Sequence, residues 1–223
     1  MLTMDIDEDL RILLSTTPIL TREAAGALTS TAPEQVASWT AGTNPAIQRP
    51  RRVGRSPYAV GFAGLLEVDL MHRLVAHGVP RRRAGSVLRS IRSNLGDLAI
   101  IEKPEYVTDG TDLFRRDGSD LTRLRDKQGA FSPVLRDFLS RVRLDTEGRV
   151  VEYIPEQLDF LSVNPLFNGG GLSHTATRVP VSSLVGSLEA GAHPAAVAAN
   201  FRVPLHDVEA LDERRGWALV AAE

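Results

Sequence analysis

The chain has 223 residues, 43% hydrophobic and 24% charged, with a formal net charge of −2, the composition of a globular protein and not of a disordered or membrane-embedded one. It has no cysteine, which excludes disulfides, thiolate zinc sites, iron–sulfur clusters and cysteine nucleophiles, and fits a reducing compartment. No apolar run approaches the roughly 20 residues of a membrane-spanning helix, and the acidic start (Asp5, Asp7, Glu8, Asp9) is the opposite of a signal peptide, so a cytoplasmic protein is expected.

The first periodic segment follows Pro18. Thr21 is placed to cap a helix with Glu23 in its first turn and Ala24, Ala27 and Leu28 on one stripe. Thr29-Ser30-Thr31 breaks it, and Pro33 opens a second short helix containing Val36 and Trp39 that ends at Gly42. Residues 43–57, with Asn44-Pro45, Pro50, Gly54 and Pro57 among arginines, read as a loop or a short β wing. Phe62, Leu65, Leu66, Leu70 and Leu74 mark a longer helix closed by Gly78, and Val87, Leu88, Ile91 and Leu95 another closed by Gly96.

From Asp97 to about Leu161 the pattern turns strand-like. Leu98 to Ile101, Tyr106 to Thr108, Leu121 to Leu124 and Val150 to Ile154 are expected strands, with turns at Asp109-Gly110, Asp117-Gly118 and Glu147-Gly148 and one helix from Pro133 to Val142. Gly169-Gly170-Gly171 reads as a flexible joint. Three helices are expected beyond it: one capped by Ser182 or Ser183 and ending at Gly191, one from Pro194 to Phe201, and one opened by Pro204 and running through Val208, Leu211 and Trp217. The expected fold class is α+β, mainly helical, in three parts: 1–96 a winged helix-turn-helix, 97–161 a small mixed subdomain, and 162–223 a trihelical domain.

Two short helices three or four residues apart match a helix-turn-helix, though a plain helical hairpin in a core would share the spacing. Between Arg49 and Arg92 stand ten arginines against only Glu67 and Asp69, a local positive block in a nearly neutral chain. Gln35 and Ser38, on the second helix, carry amide and hydroxyl groups able to pair with base edges. Arg49, Arg51, Arg52 and Arg55 lie on a segment too rich in proline and glycine for a helix face. Such arginines neutralise phosphates or enter a narrow minor groove, or else are ordinary surface charge. Trp39, on an apolar stripe, is expected in the core.

The five histidines lack helical zinc spacing, the glycine run lacks the ending of a phosphate loop, and no Gly-x-Ser-x-Gly elbow is present. No catalytic site, metal or cofactor is expected.

Thr177-Arg178-Val179-Pro180-Val181-Ser182, followed by Leu184-Val185, Glu189-Ala190-Gly191-Ala192, Val197-Ala198 and Leu205-His206-Asp207-Val208, resembles the small trihelical domain of unknown function 433. Two positions depart from that pattern: Ala176 stands where glycine is usual, and the last helix carries Glu209, Asp212 and Glu213 where alanines and a tyrosine are common. Thr21-Arg22-Glu23-Ala24-Ala25, Pro33 to Trp39, Phe62 to Glu67 and Ala76-His77-Gly78-Val79-Pro80 resemble the DNA-binding part of the MerR group. The combination is similar to VapB-like antitoxins. That resemblance implies a homodimeric autorepressor that binds operator DNA and neutralises a PIN-domain ribonuclease toxin. An ordinary MerR-like transcription regulator, with a ligand-sensing or dimerising C-terminal half, is the alternative. The acidic last helix, with Asp207, Glu209, Asp212 and Glu213, suits a protein partner better than phosphate.

Overall fold

The computed structural model describes residues 13–14, 17–50, 57–102, 134 and 136–222. Its elements, in chain order, are helices α1 (Arg22–Leu28), α2 (Pro33–Trp39), α3 (Phe62–Ala76), α4 (Arg81–Leu95) and α5 (Ala99–Glu102), strands β1 (Val142–Leu144), β2 (Val150–Tyr153), β3 (Leu161–Val163) and β4 (Leu172–His174), and helices α6 (Val181–Glu189), α7 (Pro194–Phe201), α8 (Leu205–Glu213) and α9 (Arg215–Ala221). The chain is thus α+β and mainly helical, with one small antiparallel sheet among the described residues. No helix of the described residues is long and apolar enough to cross a membrane.

The N-terminal helices follow local chemistry. Thr21 Oγ1 accepts from Ala24 N at 3.0 Å, capping α1. Pro33 sits at the start of α2, where its missing N–H costs nothing. Gly78 and Gly96 end α3 and α4 at φ 84° and 98°, a region closed to most side chains. Leu20 and Val60 form an isolated antiparallel bridge, so the stretch before α1 is stitched to the entrance of α3.

The sheet is an up-and-down meander in the order β1-β2-β3-β4. The turn at Glu147-Gly148 and the strand starting at Val150 lie where the sequence puts them. Leu98–Ile101 does not form a strand: Ala99–Glu102 is helical and packs on α3 and β2. A short apolar run without alternation fits a buried helix turn as well as a strand, and here the helix wins. The helix expected through Val142 ends at Ser140, and Val142 instead starts β1. The expected strands at 106–108 and 121–124 and the turns at 109–110 and 117–118 lie outside the described residues.

The glycine run is not a loose joint. Gly170 is buried, at φ 83°, and a Cβ there would sit 2.8 Å from the Ile19 side chain. Residues 162–222 hold four helices rather than three. The last expected helix breaks at Arg214, and α9 leaves α8 to pack on α1. α6 starts two or three residues earlier than a Ser182 or Ser183 cap would place it, directly after Pro180, and no serine caps it. One apolar cluster runs from Leu14 through Phe62, Leu66, Phe138, Tyr153 and Leu184 to Ala221.

Candidate nucleic-acid interface

α1 and α2 are two-turn helices joined by residues 29–32, and their packing buries Ala24, Ala25, Leu28, Val36 and Trp39. The turn is tight. Thr31 N donates to Gly26 O at 2.8 Å, and a Cβ on Gly26 would lie 2.5 Å from Thr31 O, so only glycine admits this approach. Thr29 Oγ1 donates back to Ala25 O at 2.7 Å. With Val36 and Trp39 turned inward, the outer face of α2 presents Glu34, half-buried Gln35 and exposed Ser38. Gln35 and Ser38 therefore share the solvent side, and Trp39 is a core residue as expected, 6% exposed.

The chain leaving α2 is clamped before it reaches the arginine segment. Ile47 N donates to Trp39 O at 3.0 Å. Arg92 donates through Nη1 to Ala46 O at 2.9 Å and Glu67 Oε1 at 2.6 Å, and through Nη2 to Pro45 O at 2.7 Å. Glu67 takes the Gln48 N–H on its other oxygen. Gly64 and Gly85 make room for this loop on α3 and α4, since a Cβ would meet Gln48 O at 2.9 Å and Ala46 Cβ at 3.0 Å. Burial pushes the Glu67 carboxyl up from 4.5 to about 7, against the pull of Arg92 and the Gln48 N–H.

The positive block is therefore smaller than its arginine count. Arg92 is committed to Glu67 and the loop carbonyls. Arg73, 6% exposed, is held by Asp69 (Nε to Oδ2 2.7 Å, Nη2 to Oδ1 3.1 Å) and by a short contact to Asp137. The two acids that interrupt the block in sequence thus cancel two of its arginines in space. Arg49, Arg81 and Arg82 are exposed, and Arg89 is half-buried. Arg51, Arg52 and Arg55 lie outside the described residues, as does any wing between 51 and 56. Residues 41–50 contain no strand.

Arg81 and Arg82 open α4, the positive end of its dipole, with no acid in that turn and no side-chain cap. Cations there are disfavoured by about 0.3–1 kcal/mol each, a cost that a bound anion would reverse.

In the C-terminal region, the acidic face loses a member. Asp207 is buried and accepts from His174 Nε2 at 3.1 Å, while Thr177 N–H donates to His174 Nδ1 at 3.2 Å. Asp212 is paired with Arg215, which leaves Glu209 and Glu213 as the exposed acids of α8. Sequence reasoning missed the role of His174, because its partners stand 3 and 33 residues away with no local pattern.

A cleft of about 180 Å³ opens beside the α1–α2 turn, lined by Leu28, Thr29, Ser30, His72, Arg73 and Tyr153 among others. Its charged walls are Arg73, Asp69, Asp137 and Glu156, and Arg73 is already paired with Asp69 and Asp137.

No family model matches the chain, and no curated protein does. The crystal structure of Rv2018 from Mycobacterium tuberculosis is similar, with a TM-score of 0.69 and 20% sequence identity over 87% of this chain and 97% of that one. The likeness is one of fold.

Proposed function

We propose that this chain is a DNA-binding regulator that acts as an antitoxin: it represses its own operator as a homodimer and neutralises a PIN-domain ribonuclease. The observation that carries the DNA-binding half is the α1–α2 pair, two short packed helices with the spacing expected of a helix-turn-helix, which keeps Val36 and Trp39 inside and leaves Gln35 and Ser38 outside. Arg49 extends from the clamped loop that follows, and Arg81 and Arg82 stand exposed at a helix start with no acid in that turn, all suited to phosphate. The antitoxin half rests on the resemblance of residues 164–217 to the trihelical domain and of the front to the MerR group. The reading of the C-terminal helices as a protein-association surface now rests on Glu209 and Glu213 and on exposed Leu205, Leu219 and Val220.

The test is a gel shift of the chain's own promoter fragment by the full-length protein, with co-expression of the neighbouring gene product. Binding should weaken as salt rises. Arg51→Ala with Arg52→Ala should weaken binding to every DNA and flatten the salt slope, whereas Gln35→Ala should erode the preference for operator over random DNA. Equal loss on both DNAs for Gln35→Ala removes it from base reading. If DNA is bound but no neighbouring product is captured, a MerR-like regulator without a toxin becomes the better reading. The cleft beside the α1–α2 turn favours that second reading, because a small ligand there would touch Leu28 and Thr29 directly.

A further inference from the structure

An isolated two-turn helix is unstable in water, and its last four carbonyls lack helical partners. In α1 the acceptors divide into two pairs. Ala25 O is taken by the Thr29 amide and hydroxyl and Gly26 O by the Thr31 amide, all local bonds. Ala27 O and Leu28 O are taken by side chains more than a hundred residues away. Trp217 Nε1 on α9 donates to Ala27 O at 3.0 Å, and Gln157 Nε2 adds a longer contact to it at 3.4 Å. The Tyr153 hydroxyl at the end of β2 shares its single proton between Asp69 Oδ1 at 3.0 Å and Leu28 O at 3.2 Å. Gln157 also donates to Ser30 Oγ in the turn itself, at 2.7 Å.

Resting on the DNA-binding reading, we infer that Tyr153, Gln157 and Trp217 are positioning residues for DNA reading: they terminate α1 and thereby set the direction of α2. The linkage is stiff. α2 hangs from α1 through a turn whose closest approach, Gly26 against Thr31 O, leaves no slack. Asp69, which faces Tyr153, is in turn fixed by Arg73 on the same helix, so the hydroxyl has one place to be. Phosphate contacts from Arg81 and Arg82, which stand on α4, do not depend on the angle of α2, whereas base contacts from Gln35 and Ser38 do. Loosening the end of α1 should therefore cost specificity and spare non-specific binding.

The experiment uses the full-length chain with Tyr153→Phe and Trp217→Phe, singly and together, each of which removes a donor and keeps a ring. The ratio of operator to random-DNA affinity should fall about two- to twelvefold for each variant, the range expected for one lost hydrogen bond. Random-DNA affinity and salt slope should stay unchanged. Amide exchange at residues 29–36 should quicken, while exchange in α6 to α8 should not. If the double variant keeps both the wild-type ratio and the wild-type exchange, the inference is overturned with the DNA-binding reading intact. If the wild-type chain shifts no DNA, that reading falls and takes the DNA role of these residues with it. The exchange data then report separately whether the same side chains hold α1.

Discussion

Glu67 stands at the centre of the clamp on residues 45–48, fully enclosed and shared between Arg92 and the Gln48 amide. Its carboxyl titrates near 7 when folded and near 4.5 as an ordinary group, so between those values the folded protein holds a proton that the unfolded chain has released. The stability this contributes is full below the unfolded value and lost as pH rises through the folded one. Thermal melts from pH 4.5 to 7.5 should show stability falling by as much as ~3 kcal/mol across the window, and Glu67→Gln should flatten that dependence whatever its starting stability. A variant that keeps the full slope assigns the proton to another group. Arg49 makes a simpler case. It is exposed beyond the clamp, so Arg49→Ala should leave the unfolding free energy within ~0.5 kcal/mol of wild type and lower the salt slope of DNA binding by about 1.

The two short helices depend on their connection more than on their propensity. Gly26→Ala places a Cβ 2.5 Å from a backbone oxygen that cannot swing away, so α1 and α2 must separate, at about 1–3 kcal/mol. Loss of operator binding should accompany the lower melting temperature. Gly186, inside α6, is exposed with nothing within 4 Å of the Cβ position. Gly186→Ala should therefore stabilise by roughly 0.5–1 kcal/mol and leave DNA binding alone. If the two variants behave alike in melting, the close approach at Gly26 is not what shapes the turn. α4 offers a third contrast: its apolar stripe of Val87, Leu88, Ile91 and Leu95 was visible as a period, but the service of Gly85 and Arg92 to a loop some forty residues earlier was not.

Across the whole molecule, contacts link the expected three parts. Trp217 reaches Ala27, Gln157 reaches Ser30, and Ile19 packs on Gly170. Deleting residues 214–223 removes no proposed DNA contact, yet it uncovers α1 and strips Ala27 O of the indole donor. The shortened chain should melt at lower temperature and bind operator more weakly. Unchanged binding would mean that α9 is only an appendage. Two-fold operators and symmetric homodimers go together, so light scattering of the full chain should give twice the monomer mass; a monomer at micromolar concentration argues against the homodimer.

The sequence alone determined the helices whose signals are local: Thr21 capping α1, Pro33 and Pro194 opening helices, Gly78, Gly96 and Gly191 closing them, and Trp39 as core. The caps and stops rest on a dihedral or a hydrogen bond within five residues and Trp39 on the apolar period of its helix, information a linear chain carries. It also placed Gln35 and Ser38 on the side of α2 away from the apolar stripe. Only the tertiary structure decided that Leu98 to Ile101 is helical, because a short apolar run takes its shape from what it packs on. The same holds for the arginines and acids. Arg73, Arg92 and Asp207 look like surface charge in sequence, and become internal partners once Asp69, Glu67 and His174 meet them. The Asp69–Arg73 pair is a local i, i+4 contact on α3, but the partners of Arg92 and Asp207 stand 25 and 33 positions away, and only the fold brings them within hydrogen-bonding distance.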